Sequence, residues 1–343
     1  MRVILTGICG MVASHLADLL IEKGHEVIGT YRWQEDMSNI NHIKDKITMV
    51  PMNLNDFSNV FSVIDKYKPD AISHLAAESY VSDSFSFPHE AISVNGLGTL
   101  NLLEAIRIVR DTNNNCSDRL SEFDPIIHIC SSSEVYGLVK QEDIPITENQ
   151  KFSPANPYAC GKVLADVLAQ MYYTNYGLKT IRTRMFTHFS YRRKMKSAEV
   201  NFAEQIAEFE RLDNLETSPE CYINYFTLKH GNLDSIRTWA DARDAVKAYY
   251  LILTQPIKFG EVYNIGGNTI KTIGEMLDYI ISLSPIKNKI KKQQDPKLMR
   301  KYDVTLQIPD CFKFRSDYPE WKLEISFEQS IKDLLEEKRK CIN

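Results

Sequence analysis

Residues Val3-Ile4-Leu5-Thr6-Gly7-Ile8-Cys9-Gly10-Met11-Val12-Ala13 decide the fold. A short apolar run meets a glycine, a second glycine follows three residues later, and an amphipathic stretch, Ala13–Lys23, comes next. A strand that enters a tight turn and leaves as a helix opens a dinucleotide-binding βαβ unit. In that reading Gly7 makes the turn, Gly10 lets backbone approach a pyrophosphate, and Ala13 allows close packing of helix on strand. The helix start presents unpaired N–H groups and a partial positive charge to the phosphates. A glycine pair alone fits an ordinary strand-to-helix turn equally well. Its place after a strand and before a helix favours the dinucleotide.

The same alternation continues outward. Glu26–Thr30, Ile47–Pro51, Ala71–His74, Ile126–Cys130 and Thr180–Thr183 read as buried strands, and Phe57–Tyr67, Ala91–Val109 and Tyr158–Tyr176 as amphipathic helices. Strands alternating with helices predict an α/β fold with a doubly wound parallel sheet. Past residue 190 the pattern loosens, with helices expected over Trp239–Leu253, Thr272–Ser284 and Ser326–Glu337. The division expected is a dinucleotide-binding domain over 1–187 with parts of 231–270, and a smaller C-terminal α/β lobe over 188–230 and 271–343. Asn113-Asn114-Asn115 and the lysine-rich Lys287–Lys292 read as solvated loops.

Composition narrows the function classes. A net charge of −4 and a pI near 6.1 leave no basic footprint, which argues against nucleic acid. No sequence run approaches the ~20 apolar residues that span a bilayer, so no membrane partner is expected. The chain opens directly on its first strand, without the layout of a secretion signal. Seven cysteines, an odd number with no Cys-x-x-Cys pair, suggest neither a disulfide framework nor a metal site. A cytoplasmic enzyme is the natural expectation.

Cofactor choice is read about 20 residues past the glycines, at the end of the second strand. There the chain runs Gly29-Thr30-Tyr31-Arg32-Trp33, with no acidic residue to take a ribose hydroxyl. Arg32 suits a 2′-phosphate, so NADP is favoured, with NAD still possible. A surface arginine stacked on Trp33 is the alternative. Further on, Tyr158 and Lys162 are four apart and share one helix face. A lysine ammonium beside a phenol lowers its pKa from ~10 towards neutrality, which suits removal of a proton from an alcohol as hydride leaves. Tyr-x-x-x-Lys is common on helix surfaces. Its weight here comes from the glycine fingerprint and from a strand ending Cys130-Ser131-Ser132-Ser133.

On these motifs the chain resembles the extended short-chain dehydrogenase/reductase family over nearly its whole length. The resemblance implies a Rossmann domain with a smaller C-terminal substrate domain, commonly as homodimers or homotetramers. It implies a Ser/Thr–Tyr–Lys triad, which maps to Ser132 (four residues before Tyr136-Gly137), Tyr158 and Lys162, with Ser133 a further candidate. It places Gly7, Gly10, Met11 and Val12, Asn53 and Leu54 after the third strand, and Ala76 and Ala77 of His74-Leu75-Ala76-Ala77-Glu78-Ser79 against the cofactor. Asn95-Gly96-Leu97-Gly98-Thr99 matches the family's Asn-x-x-Gly-Thr helix entry.

Glu134, in Ser132-Ser133-Glu134-Val135-Tyr136-Gly137, is similar to the glutamate of sugar-nucleotide 4,6-dehydratases. There, oxidation at C4 acidifies the C5 proton, the glutamate removes it and assists loss of the C6 hydroxyl, and the same nicotinamide returns its hydride to C6. Arg184–His188, Arg192-Arg193, Gly231–Arg237 and Pro296–Val304 resemble GDP-mannose 4,6-dehydratases and their relatives acting on GDP-manno-heptose. That likeness implies a GDP-linked sugar substrate gripped at the diphosphate by Arg237 and Arg300. Asp303 would meet a sugar or ribose hydroxyl, with Ser79, Thr187, His188 and Arg193 at the sugar pocket. The loop Leu212–Lys229, with Tyr222, Tyr225 and Phe226, looks longer than the family's, which suits a sugar other than mannose. A reductase of the 4-keto-6-deoxy product, an epimerase and a silent nucleotide-binding scaffold are the rivals. Glu134 disfavours the epimerase, and the intact Ser132, Tyr158 and Lys162 disfavour the scaffold.

Overall fold

Val3, Ile4 and Leu5 are fully buried, apolar on both faces as a central parallel strand requires. They form β1 (Arg2–Thr6), followed by β2 (Glu26–Tyr31), β3 (Thr48–Pro51), β4 (Ala71–His74), β5 (Ile126–Ser132), β6 (Thr180–Met185) and β7 (Val262–Ile265). The spatial order is β7-β6-β5-β4-β1-β2-β3, and every pairing is parallel. The computed structural model describes residues 1–114, 123–194, 197–215, 224–299 and 303–342. This is the expected Rossmann-type sheet. After β3 the chain crosses to the other side of β1, and the crevice above the carboxyl ends of β1 and β4 is where such sheets bind ligands.

Helices α1 (Met11–Glu22), α2 (Phe57–Tyr67), α3 (Gly98–Asn114), α4 (Pro157–Tyr176) and α5 (Ala242–Thr254) cover both faces. Leu16 and Leu20 of α1 join Val246 and Ile252 of α5 against Val3 and Leu5. On the opposite face Val60, Ile64, Leu102, Ile106 and Ala165 pack against Ile4, Ile28 and Ile127. The structure joins Pro88–Asn113 into one helical stretch, long and apolar enough by length and composition to cross a bilayer. More than half of its apolar window is buried inside the protein, with Leu102, Leu103 and Ile106 in the core, so no membrane is needed to cover it.

The second lobe is built on the short strands Ile236–Asp241, Thr269–Thr272 and Leu306–Gln307, with helices Ala198–Leu215, Ile273–Ser282 and Phe327–Ile342. Phe189, Trp239 and Phe327 meet edge to face at its centre.

Several readings from the sequence are corrected here. The single helix expected over Trp239–Leu253 is a strand ending at Asp241, whose carboxylate caps the helix that follows by accepting from the Arg243 N–H at 2.8 Å. Ile290–Gln294, partly inside the lysine-rich run read as loop, is an edge strand paired with Phe226–His230, its lysines pointing to solvent. Val262–Ile265, not read as a strand, closes the main sheet. Phe314, Tyr318 and Trp321, allotted with the C-terminal lobe, pack instead with Tyr263 and α5 in the main core. Of the asparagine run, Asn113 and Asn114 end α3 and Asn115 lies outside the described residues.

Helix α4 carries the Tyr158–Lys162 pair. Asn156 caps it by accepting from the Ala159 N–H at 2.8 Å, Pro157 takes the first helical position, and Gly177 ends it in the left-handed region. One turn past Lys162, the fully buried Asp166 receives Arg182 Nη1 at 3.0 Å and Arg184 Nε at 2.9 Å from β6. This pair of bridges fixes the height of α4 against the sheet. Replacing Asp166 with Ala leaves two buried guanidinium groups short of their carboxylate. We expect a loss of about 3–5 kcal/mol in chemical denaturation, and an unchanged midpoint would remove Asp166 from this role.

Candidate active site

At the carboxyl end of β1, Gly7 adopts φ +69°, and a Cβ there would stand 2.9 Å from the Ala76 Cα. Only glycine lets the loop after β1 lie this close to the segment after β4. The Gly10 N–H closes the turn onto the Gly7 carbonyl at 3.0 Å, and α1 begins with no side-chain cap and no acidic residue in its first turn. Its leading N–H groups are left for an anion, so the cradle fits a dinucleotide pyrophosphate. Thr6 Oγ1 accepts from the Leu75 and Ala76 N–H groups at 3.0 Å each, and Asn95 clamps Glu78 with two hydrogen bonds of 2.8 and 3.0 Å. These bonds hold the segment after β4 along one wall of a cleft of about 640 Å³.

That cleft brings together most residues singled out from the sequence. Gly7, Gly10, Met11, Val12, Arg32, Asn53, Leu54, Ala76, Ala77 and Ser79 line it. So do Ser132, Ser133, Glu134, Tyr158, Lys162, Thr187, His188 and Arg193. Arg237 and Asp303 are not among the lining residues. The Arg237 guanidinium donates to the Ile236 and Val304 carbonyls, and Asp303 accepts from Asn232 and Ser235 at 2.9 Å each. Arg300 and Tyr222 lie outside the described residues.

At the chemical end, β5 stops at Ser132 and Ser133–Tyr136 makes one tight turn. The Ser132 hydroxyl is hydrogen-bonded to Tyr158 and accepts from the Glu134 N–H at 3.2 Å. Lys162 Nζ donates to the Cys130 carbonyl at 2.8 Å and stands 6.0 Å from the centre of the Tyr158 ring. Burial pushes the Tyr158 phenol up and the Lys162 ammonium down from their ordinary ranges. The direction for Tyr158 is opposite to the sequence expectation, because desolvation outweighs a lysine whose hydrogen bond goes to the strand. Burial likewise lowers His188 to about 4, so it is a neutral ring whose Nδ1 faces the Phe186 carbonyl at 3.0 Å.

The Glu134 carboxylate is held at both oxygens. Asn156 Nδ2 donates to Oε2 at 3.0 Å and Gln307 Nε2 to Oε1 at 2.9 Å. Neither amide was found from sequence. Asn156 had a local signal, an asparagine before a proline at a helix start. Gln307 had none, since it arrives from a strand of the second lobe paired with Ile236–Asp241. Glu35 and Lys194 were also missed, and both line the cleft. The segment Trp33–Asn41 packs beside the glycine loop. Asn39 donates to the Cys9 carbonyl at 3.0 Å and Ile40 is fully buried, while Trp33 is 79% exposed.

Residues 4–334 match the sequence model of the family described as GDP-mannose 4,6 dehydratase. The GDP-mannose 4,6-dehydratase of Yersinia enterocolitica is 29% identical, over 97% of this chain and 92% of its own. The GDP-6-deoxy-D-mannose reductase of Pseudomonas aeruginosa is 28% identical, over 78% of this chain and 79% of its own. The solved structure of RMD from Pseudomonas aeruginosa complexed with NADPH shares the fold, with a TM-score of 0.77 at 24% identity and 99% of both chains covered. The sheet order, the glycine cradle and a match that spans both lobes agree: the chain belongs to the GDP-mannose 4,6 dehydratase family.

Proposed function

We propose that this chain is a sugar-nucleotide 4,6-dehydratase acting on a GDP-linked sugar, GDP-mannose or GDP-manno-heptose. The observation that carries the reading is Glu134. A carboxylate fixed by two amides, one turn from the Ser132–Tyr158 hydrogen bond, is a second base that simple alcohol oxidation does not need.

A nicotinamide dinucleotide bound in the cleft supplies a hydride acceptor and donor. Tyr158, hydrogen-bonded to Ser132, is placed to take the proton of the C4 hydroxyl, with Lys162 the nearby cation that favours phenolate. Once C4 is a ketone, the C5 hydrogen lies α to a carbonyl. Glu134 takes that proton and passes one to the departing C6 hydroxyl, which leaves as water. Donors to both oxygens hold Glu134 in line without protonating it. Thr187, the neutral His188 and Arg193 are assigned to the sugar, and Arg237 with Arg300 to the diphosphate, which requires the Arg237 guanidinium to leave the Ile236 and Val304 carbonyls. C6 then regains the hydride and C5 takes up a proton, so the net change is loss of one water.

The direct test is incubation of the purified protein with each sugar nucleotide, without added cofactor and then with it, followed by mass spectrometry. Loss of one water with no lasting change in absorbance near ~340 nm is the expected result, and the faster sugar names the substrate. If neither loses water, and reduced cofactor is oxidised only when a 4-keto-6-deoxy sugar is supplied, the chain is a reductase. E134Q should lower the rate of water loss by about 10²–10⁴-fold while Tyr158 still serves C4, so absorbance rises on adding sugar and persists. Q307A should lower kcat by about 10–100-fold with little change in KM, the mark of a residue that aims the base. Equal loss in kcat and gain in KM would make Gln307 a substrate contact instead.

A further inference from the structure

After β2 the chain folds back at once. Gln34 has φ +66°, and the Glu35 N–H donates to the Arg32 carbonyl at 3.3 Å. This turn lays Glu35 over the glycine loop. Its carboxylate accepts from the Arg32 N–H at 3.3 Å, stands 3.5 Å from Arg32 Nε and hydrogen-bonds the Cys9 thiol. An acidic group above this loop at the end of the second strand meets the adenosine ribose of a dinucleotide. Glu78, from the segment after β4, holds Arg32 Nη1, and Asp36 pairs with Lys194 Nζ at 2.5 Å. Three carboxylates therefore surround two cations, a net charge of −1 in the place where NADP would carry its extra phosphate.

We infer that this cleft selects the ribose diol of NAD over the 2′-phosphate of NADP, with Glu35 accepting from the 2′-hydroxyl and Glu78 holding Arg32 away from a phosphate. The expectation of NADP came from Arg32 read without its surroundings. A diol donates a hydrogen bond to Glu35 and leaves both Arg32 pairs intact. A 2′-phosphate would sit against Glu35 and draw Arg32 from two carboxylates, so like charges meet where opposite ones part. Asp36 and Lys194 satisfy each other and offer the phosphate no free cation.

The inference rests on the cleft being the dinucleotide site and not on which sugar reacts. Its test is binding. NADH and NADPH are titrated against the purified protein by fluorescence, and any nucleotide released on denaturation is identified by mass spectrometry. NADH should bind at least about tenfold more tightly, and E35Q should narrow that ratio by about tenfold, chiefly by improving NADPH. E78Q, which frees Arg32, should shift the ratio the same way. Equal or tighter binding of NADPH to the unaltered protein overturns the inference, as does a ratio untouched by both variants. A protein that prefers NADH yet dehydrates no sugar nucleotide sinks the dehydratase reading and leaves this one standing.

Discussion

Asn156 is the point on which the reacting end of this molecule depends. Its carbonyl oxygen starts α4, and its amide nitrogen holds Glu134. One side chain therefore sets the beginning of the helix that presents Tyr158 and Lys162 and the direction of the carboxylate that faces them. An N-cap of this kind is worth about 0.5–2 kcal/mol to a helix. Here the same few atoms also fix the spacing between Glu134 and the start of the helix that carries Tyr158 and Lys162. Asp166 completes the arrangement by tying the next turn of α4 to β6.

Burial shapes the chemistry of the groups so placed. His74 and His128, under the sheet's carboxyl edge, are driven down to about 3 by desolvation and serve as neutral hydrogen-bonding rings to Thr6, Thr99, Ser73 and Thr183. They stiffen the strand ends that carry the loops. The same dryness raises the Tyr158 phenol and lowers the Lys162 ammonium. In such surroundings charge brought in by ligands has a large effect on the pair, because little solvent is present to screen that charge.

What could be read from sequence was local. The β1–loop–α1 crossing, the Tyr158–Lys162 spacing and the position of Glu134 each lie within a few residues, and periodicity or turn chemistry exposes them. Contacts made across the fold could not be read that way. Gln307 reaches Glu134 from 173 residues away, and Phe314 and Trp321 return from beyond the second lobe to cover the main core. Arg32 was visible, but the turn at Gln34 that brings Glu35 back onto it has no glycine or asparagine to announce it. The Tyr158 shift went the other way for a related reason. Spacing reveals which neighbours a group has, whereas its pKa depends on how much water the whole fold removes.

The three tryptophans divide sharply by environment. Trp239 and Trp321 are 3% and 5% exposed in the two lobe cores, whereas Trp33 projects into solvent beside Arg32. Red-shifted emission and quenching by dissolved ions therefore belong to a single indole, and blue-shifted emission to the two cores. The folded chain thus carries an optical label next to Arg32, a residue that lines the cleft.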